Sequence, residues 1–462
     1  MLTMNTRILL LSFLLSVLCH SHLAAEDWAQ WRGPDRRGVI RNSPPLINSL
    51  EGEELKLVWE MPFPPRGASP YYSSPVAANG KVYMHLSPLA TLAPPPVKKP
   101  EKPKPKKKKD ELDDFLSADV SEEDDLPGGM PPPKIRKPKP SAAKPQAQKN
   151  RKNPNMDDVL LCVNLADGKE LWRFARYGGP GKWGAPNTPC VHGGKVSFLG
   201  NKGIVYCLDA ETGKDQWTSD ALTKQRAAFV ASPIVIGGKL IVPVQTTIAL
   251  NIADGTTLWE APIGVRSGSP TVWTNGGKSY VIVAGDEIAC IDPDNGKVLW
   301  KIPGGRLSVS PAVSGDRLAI MYAGKGQGPT VYRMTLSGAE KESEFSYKPA
   351  GMGHQTCTPS MDGDLLYAWG SRTSFCYDMA AKRKLWEGAS PGDGKPSPIM
   401  ADKKMILNNS KRVLILDAGS GKTLASANVR VAGCTSCGIA GDRLIVNSGT
   451  HLRCYNIGAA GN

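Results

Sequence analysis

Cys434-Thr-Ser-Cys437 has the Cys-x-x-Cys spacing of a redox pair or of half a metal site. Gly438 follows it, where covalent haem attachment needs histidine. Reactive pairs sit at helix starts, whereas this one runs into an apolar strand, in which positions i and i+3 face opposite ways. The spacing therefore reads as structural, and Cys434 and Cys437 remain a candidate thiol pair because Cys190 and Cys357 enter strands at similar levels. Five further cysteines, Cys162, Cys207, Cys290, Cys376 and Cys454, each precede an apolar or aromatic residue and then Asp or Asn. Such recurrence is the behaviour of a small buried hydrophobe rather than of a disulfide framework.

A second set of residues is cationic. Arg66, Lys182, Arg226, Arg266, Arg306, Lys395 and Arg430, with His354, each stand shortly before a Ser/Thr-Pro dipeptide or its Ser-Cys equivalent. Pointing inward, they would ring a channel mouth and focus their field on an anionic ligand or partner. Pointing outward, they are ordinary solvated loop residues. Asp209, Asp292, Asp378 and Asp417 recur at one place in a repeat, which marks them as turn-forming residues rather than a converging acid–base set. The six histidines have no ligand spacing, and no Walker loop, His-Glu-x-x-His or Gly-x-Ser-x-Gly occurs. The set of candidate catalytic residues and of metal ligands is empty.

What must position these residues is a repeat. Cys207-Leu-Asp-Ala-Glu-Thr-Gly213-Lys-Asp-Gln-Trp217 returns around Trp172, Trp259, Trp300 and Trp386 as a strand, a tight Gly turn and a second strand carrying Trp. Steps of 45, 42 and 41 residues lead from Trp172 to Trp300, and the step of 86 to Trp386 spans two repeats with Phe345 at the missing place. Gly421-Lys-Thr-Leu-Ala425 is a degenerate copy. An independent phrase, Ser/Thr-Pro opening an apolar strand, begins at Ser74, Thr188, Ser232, Ser269, Ser310, Thr358 and Ser397, with Ser436-Cys437 as an eighth copy. Proline lacks an N–H and is tolerated at the first residue of a strand. Both phrases give eight units of four strands, A to D, an eight-bladed all-β propeller. The eighth unit ends after its C strand, and Leu55 to Glu60, with Trp59, supplies the D strand that closes the ring.

The ends and one insertion stand apart. Arg7 and the apolar run from Ile8 to Cys19, before Leu23-Ala-Ala25, form an export signal over residues 1–25, cleaved near Ala25. The run is too short to span a bilayer comfortably. Leu18 before Cys19 is large where a lipidation signal needs a small residue. Residues 26–54 are an N-terminal extension, and 55–92 with 155–462 make the propeller. Residues 93–154 are a Lys/Pro-rich insertion with an acidic block from Asp110 to Asp125, expected to be disordered. The insertion's excess of about six positive charges accounts for nearly half of the net +14. Within it, Leu112, Phe115, Leu116 and Val120 could share one face of a short turn.

The Asp-Ala-Glu-Thr-Gly-Lys-x-x-Trp phrase resembles the repeat of the pyrroloquinoline-quinone (PQQ)-like propellers. These include quinoprotein alcohol and glucose dehydrogenases and the outer-membrane assembly lipoprotein of the β-barrel assembly machinery. Trp28-Ala-Gln-Trp31-Arg-Gly-Pro-Asp-Arg-Arg-Gly38 is similar to the opening of many exported bacterial PQQ-like propellers of unassigned role. In the dehydrogenases the resemblance implies PQQ on a Trp platform, a disulfide of adjacent cysteines, Ca²⁺ on acidic and amide side chains, and an Asp base. Here no two cysteines are adjacent and the blades are close to minimal length. The expectation is an exported, periplasmic or extracellular, monomeric binding or scaffold propeller without a cofactor. Its partner would be a protein, an anionic polymer or a small anion in the cell envelope, not a specific nucleic acid sequence. A PQQ- and calcium-dependent oxidoreductase using the axial pocket is the alternative.

Overall fold

The computed structural model describes residues 26–64, 71–94, 154–181, 187–225, 230–305, 309–321, 329–344, 357–370, 372–392 and 395–459. Residues 95–153 separate from the rest as a second unit and, like residues 1–25, lie outside the described residues. The acidic block and Leu112, Phe115, Leu116 and Val120 fall there as well.

Blade 3 shows how the repeat folds. Ile234–Ile236, Lys239–Pro243, Thr247–Asn251 and Thr257–Ala261 pair in order as an antiparallel meander. Gly237 and Gly238, both at positive φ (52° and 75°), make the two-residue turn that matches strand twist. The two middle strands are buried almost throughout, so their sequences are near-continuous aliphatic runs. The outer strand alternates, with Trp259 turned in and its neighbours exposed. Eight such four-stranded units occur among the described residues, and no helix does. The protein is an eight-bladed β-propeller. Its core is a series of layers between blades: one cluster joins Val205, Cys207 and Trp217 of blade 2 to Leu240, Val242 and Leu250 of blade 3.

The strand register explains the cysteines. Cys162, Cys207, Cys290, Cys376 and Cys454 stand directly opposite Trp172, Trp217, Trp300, Trp386 and Trp59, and Ala249 stands opposite Trp259. A small side chain is needed across from each indole. Blade 7 inverts the pair, placing Ile415 opposite Ala425. Blade 5 corrects one expectation. There the register puts Ser343 opposite Val331, two residues before Phe345, which lies outside the described residues. The bulge in the outer strand, not the spacing between repeats, decides which residue faces the C strand.

Each Trp also fastens the next blade. Trp172 donates from Nε1 to the Ala210 carbonyl, 3.2 Å away, and its ring covers Gly213. A Cβ on Gly213 would lie 2.5 Å from that ring, and φ there is +69°. Both facts require glycine. Trp217, Trp259, Trp300 and Trp386 donate in the same way to Ile252, Pro293, Thr335 and Ala418. Between the last blade and the first, Leu57–Pro62 pairs antiparallel with His451–Asn456, and Trp59 donates to Leu165 at 2.7 Å.

Candidate functional site

The A strands are the innermost of each blade and pair within the blade on one side only, so their inner edges present N–H and carbonyl groups to the central channel. Their first residues are latched around the ring by hydroxyls. Ser74 N–H donates to Thr188 Oγ1, Thr188 N–H to Ser232 Oγ, Ser232 N–H to Ser269 Oγ and Ser269 N–H to Ser310 Oγ, at 2.7–3.2 Å. Thr358 N–H and Ser397 N–H continue to Ser397 Oγ and Ser436 Oγ. The hydroxyl of the Ser/Thr-Pro phrase is thus an inter-blade latch. The proline beside it has no N–H to leave unpaired.

Residues 26–47, which belong to no repeat, run across the inner edges of these strands. Trp28 bridges Ala77 of blade 1, Ala29 accepts from Val191 N–H of blade 2, and Val39–Ile40 pairs in parallel with Met400 and Ala401 of blade 7. Met361 N–H of blade 6 reaches the Arg37 carbonyl at 3.4 Å. From this segment two arginines, 2% and 1% exposed, enter the channel. Arg32 donates to the Thr358 carbonyl at 2.7 Å, to Pro359 O and Ser360 Oγ of blade 6, and to Arg36 O and Arg37 O of its own segment. Arg36 donates to Ser232 O (3.2 Å) and Pro233 O of blade 3, to Pro270 O (2.9 Å) of blade 4, and to Gln30 Oε1.

Arginine is rarely buried without a carboxylate. Here no ion pair to Arg32 or Arg36 occurs among the described residues. Asp35, the nearest acid in sequence, turns outward to Arg37 and Arg41. Burial pushes Arg32 down to about 9 and Arg36 down to about 10, so both stay charged at neutral pH. Both also adopt positive φ, 66° and 56°. For a non-glycine residue that conformation costs about 1–2 kcal/mol. The segment tolerates the strain because every guanidinium nitrogen is satisfied by a fixed acceptor.

The sequence-derived candidates are distributed unevenly. Arg66, Lys182, Arg226, Arg306 and His354 lie outside the described residues. Arg266 is half-buried and pairs with Asp286 at 3.1 Å, while Lys395 and Arg430 are exposed. Cys434 is exposed and Cys437 is buried beside Asn408 Oδ1 at 3.5 Å; neither is in a disulfide. Burial pushes the Cys437 thiol up to about 12, far from a reactive thiolate. Cys190 and Cys357 are buried close to the channel arginines and are likewise raised, to about 11 and about 12. Asp209 folds back on its own turn, accepting from Thr212 Oγ1 and N–H at 2.7 Å, which holds its carboxyl below the usual range.

Between blades 1 and 2 lies a buried polar group that the repeat phrases give no sign of. Asp158, fully buried, accepts from Asn201 N–H (3.0 Å) and Nδ2 (2.6 Å) and from Tyr206 OH (3.4 Å). Asn201 also donates to Ser87 Oγ, and His85, 1% exposed, packs tilted against Phe198 with ring centroids 4.8 Å apart. Burial raises Asp158 to about 7 and lowers His85 to about 4.

A quinone–calcium group does not fit the channel axis as described. Ca²⁺ needs six or more oxygens with carboxylates among them. No group of three or more His, Cys, Asp or Glu that could hold a metal ion occurs among the described residues. The axis instead carries two guanidinium charges, which repel a divalent cation.

Known proteins agree with this architecture. A family model described as outer membrane protein assembly factor BamB matches residues 156–303 and 245–341. The quinoprotein alcohol dehydrogenase PedH of Pseudomonas putida is 26% identical over 168 residues, 32% of this chain and only 27% of that protein. The outer membrane protein assembly factor BamB of Xanthomonas campestris is 27% identical over 300 residues, 60% of this chain and 72% of its own. Among solved structures, the quinohemoprotein alcohol dehydrogenase of Comamonas testosteroni superposes with a TM-score of 0.60 at 12% identity, covering 94% of this chain and 81% of that one. The chain is an eight-bladed β-propeller whose repeats are similar to those of the PQQ-like propellers.

Proposed function

We propose that this is an exported binding or scaffold propeller of the cell envelope, which recognises an anionic ligand or an acidic protein surface on its loop face rather than transforming a substrate in an axial pocket. The observation that carries the reading is the channel itself, filled by Arg32 and Arg36 on a cage of neutral carbonyls. With the axis occupied, recognition falls to the loops around it. The loop cations Arg66, Lys182, Arg226, Arg266, Arg306, His354, Lys395 and Arg430 are its proposed contacts, and two buried guanidinium charges without a carboxylate add to the same field. Relatives named as outer membrane protein assembly factors favour a scaffold. No helix among the described residues is long and apolar enough to cross a membrane.

The test is equilibrium binding of the mature protein to a labelled polyglutamate at low and moderate salt, with the double variant Lys395→Glu, Arg430→Glu. Salt-sensitive binding weakened by the variant supports the reading, and binding that ignores both refutes it. PQQ and Ca²⁺ added in parallel should give no bound chromophore and no dye-linked alcohol oxidation. Activity there would establish the oxidoreductase reading that the dehydrogenase relatives favour.

A further inference from the structure

We infer that the central channel is an arginine-recognition site for a turn-folded peptide, occupied in this chain by its own residues 26–41. Three features distinguish this arrangement from ordinary core packing. First, the blades are built without the segment: the eight four-stranded sheets use strands from Leu57 onward, and Val39–Ile40 is only an added fifth strand on blade 7. Second, the segment binds as peptides bind sheet edges. Main-chain contacts to blades 1, 2, 6 and 7 fix its path, and side chains at alternate depths supply specificity. Third, its anchors are two arginines four residues apart whose acceptors are carbonyls of blades 3, 4 and 6. A planar fork with donors on both sides matches spaced carbonyls, and an ammonium group does not. The positive φ at Arg32 and Arg36 lies in tight turns, closed by Gly33 N–H to Gln30 O, Arg36 N–H to Gly33 O and Gly38 N–H to Arg32 O, and these turns put the forks in place.

The ligand chemistry is therefore a guanidinium pair on a turn-forming, glycine-containing peptide, and the channel accepts it whether or not the peptide is covalently attached. The full-length mature double variant Arg32→Ala, Arg36→Ala retains every blade residue and loses both anchors. A fluorescent peptide of residues 26–41 should bind it saturably and should not bind the wild-type protein, whose site is filled. The same peptide with both arginines replaced by lysine should bind on the order of tenfold more weakly or worse, because charge-assisted hydrogen bonds to fixed acceptors are lost. Absence of binding to the folded double variant, or equal binding of the lysine peptide, would overturn the inference. Should the double variant fail to fold, the single variant Arg36→Ala, with Arg32 still seated, replaces it. Millimolar methylguanidinium should raise its melting temperature above that seen with equimolar methylammonium, and equal effects of the two ions would be equally fatal.

Discussion

Asp158 and His85 are buried in the same polar layer and are displaced in opposite directions, to about 7 and about 4. A carboxyl raised above its unfolded value binds its proton more tightly in the native state. Its stabilising contribution is complete below about pH 4 and is lost as the pH rises to about 7. Three pH units at about 1.4 kcal/mol each bound that loss at about 4 kcal/mol. A histidine lowered from 6.5 to about 4 does the reverse. Its proton is bound more tightly by the unfolded chain, so stability rises between about pH 4 and 6.5, by at most about 3.5 kcal/mol. In the wild-type protein the two slopes largely cancel, and each substitution exposes the other. Asp158→Asn keeps an oxygen for the Asn201 donors and an amide facing Tyr206 OH. Relative to wild type it should gain stability steadily from pH 4 to 7. His85→Phe keeps a ring against Phe198 and should lose stability relative to wild type between pH 4 and 6.5. Urea denaturation followed by tryptophan fluorescence at pH 4.5, 5.5, 6.5 and 7.5 measures both. Variant curves that run parallel to wild type, or slopes of the same sign, would show that burial does not control these two groups.

Three further outcomes test the frame of the ring. Gly213→Ala should cost about 2 kcal/mol or more, since a Cβ there meets the Trp172 ring at 2.5 Å and φ is +69°. Gly194→Ala, at φ +74° with nothing within 4 Å, isolates the backbone share and should cost about 1 kcal/mol; equal costs would remove the indole contact from the account. Trp59→Ala, at the seam between last and first blades, should lower unfolding free energy by about 3–5 kcal/mol, and Trp386→Ala by a similar amount, because the two are comparably buried and donate one carbonyl bond each. A neutral Trp59→Ala would mean the seam adds nothing. In the native protein Cys434 should react promptly with a thiol reagent and Cys437 should not; loss of both into a disulfide would revive the redox pair.

The repeat was legible because its determinants are local and recur. Each blade needs a turn glycine, an indole on the outer strand and a small residue across from it, so Gly213, Trp217 and Cys207 announce themselves at fixed spacing. Ser232 and its equivalents were legible as punctuation but not as latches, because each hydroxyl accepts from the blade before it. Phe345 shows the limit of counting: one bulge moves the register, and Ser343 takes the place that spacing assigned to Phe345.

Arg32 and Arg36 illustrate a different kind of illegibility. Nothing in Trp-Arg-Gly-Pro-Asp-Arg-Arg-Gly distinguishes buried arginines from solvated ones, and the adjacent Asp35 offers a local partner that the fold declines. The blade carbonyls that accept from them lie 196 to 327 residues away and carry no side-chain identity to be read. The need for them nevertheless follows from topology. A closed ring of sheets hides its outer edges in loops and solvent but turns eight inner edges toward one axis, where N–H groups such as those of Ala77, Val191, Met361 and Met400 meet main-chain carbonyls of the N-terminal segment and edge carbonyls are left over. No residue of the repeat can satisfy them all, since every blade contributes the same edge. A donor-rich side chain from outside the repeat can, and arginine carries five N–H groups in one plane. In a propeller sequence, then, arginines flanked by glycine in a segment that matches no blade are the residues to examine for the axis before they are assigned to the surface.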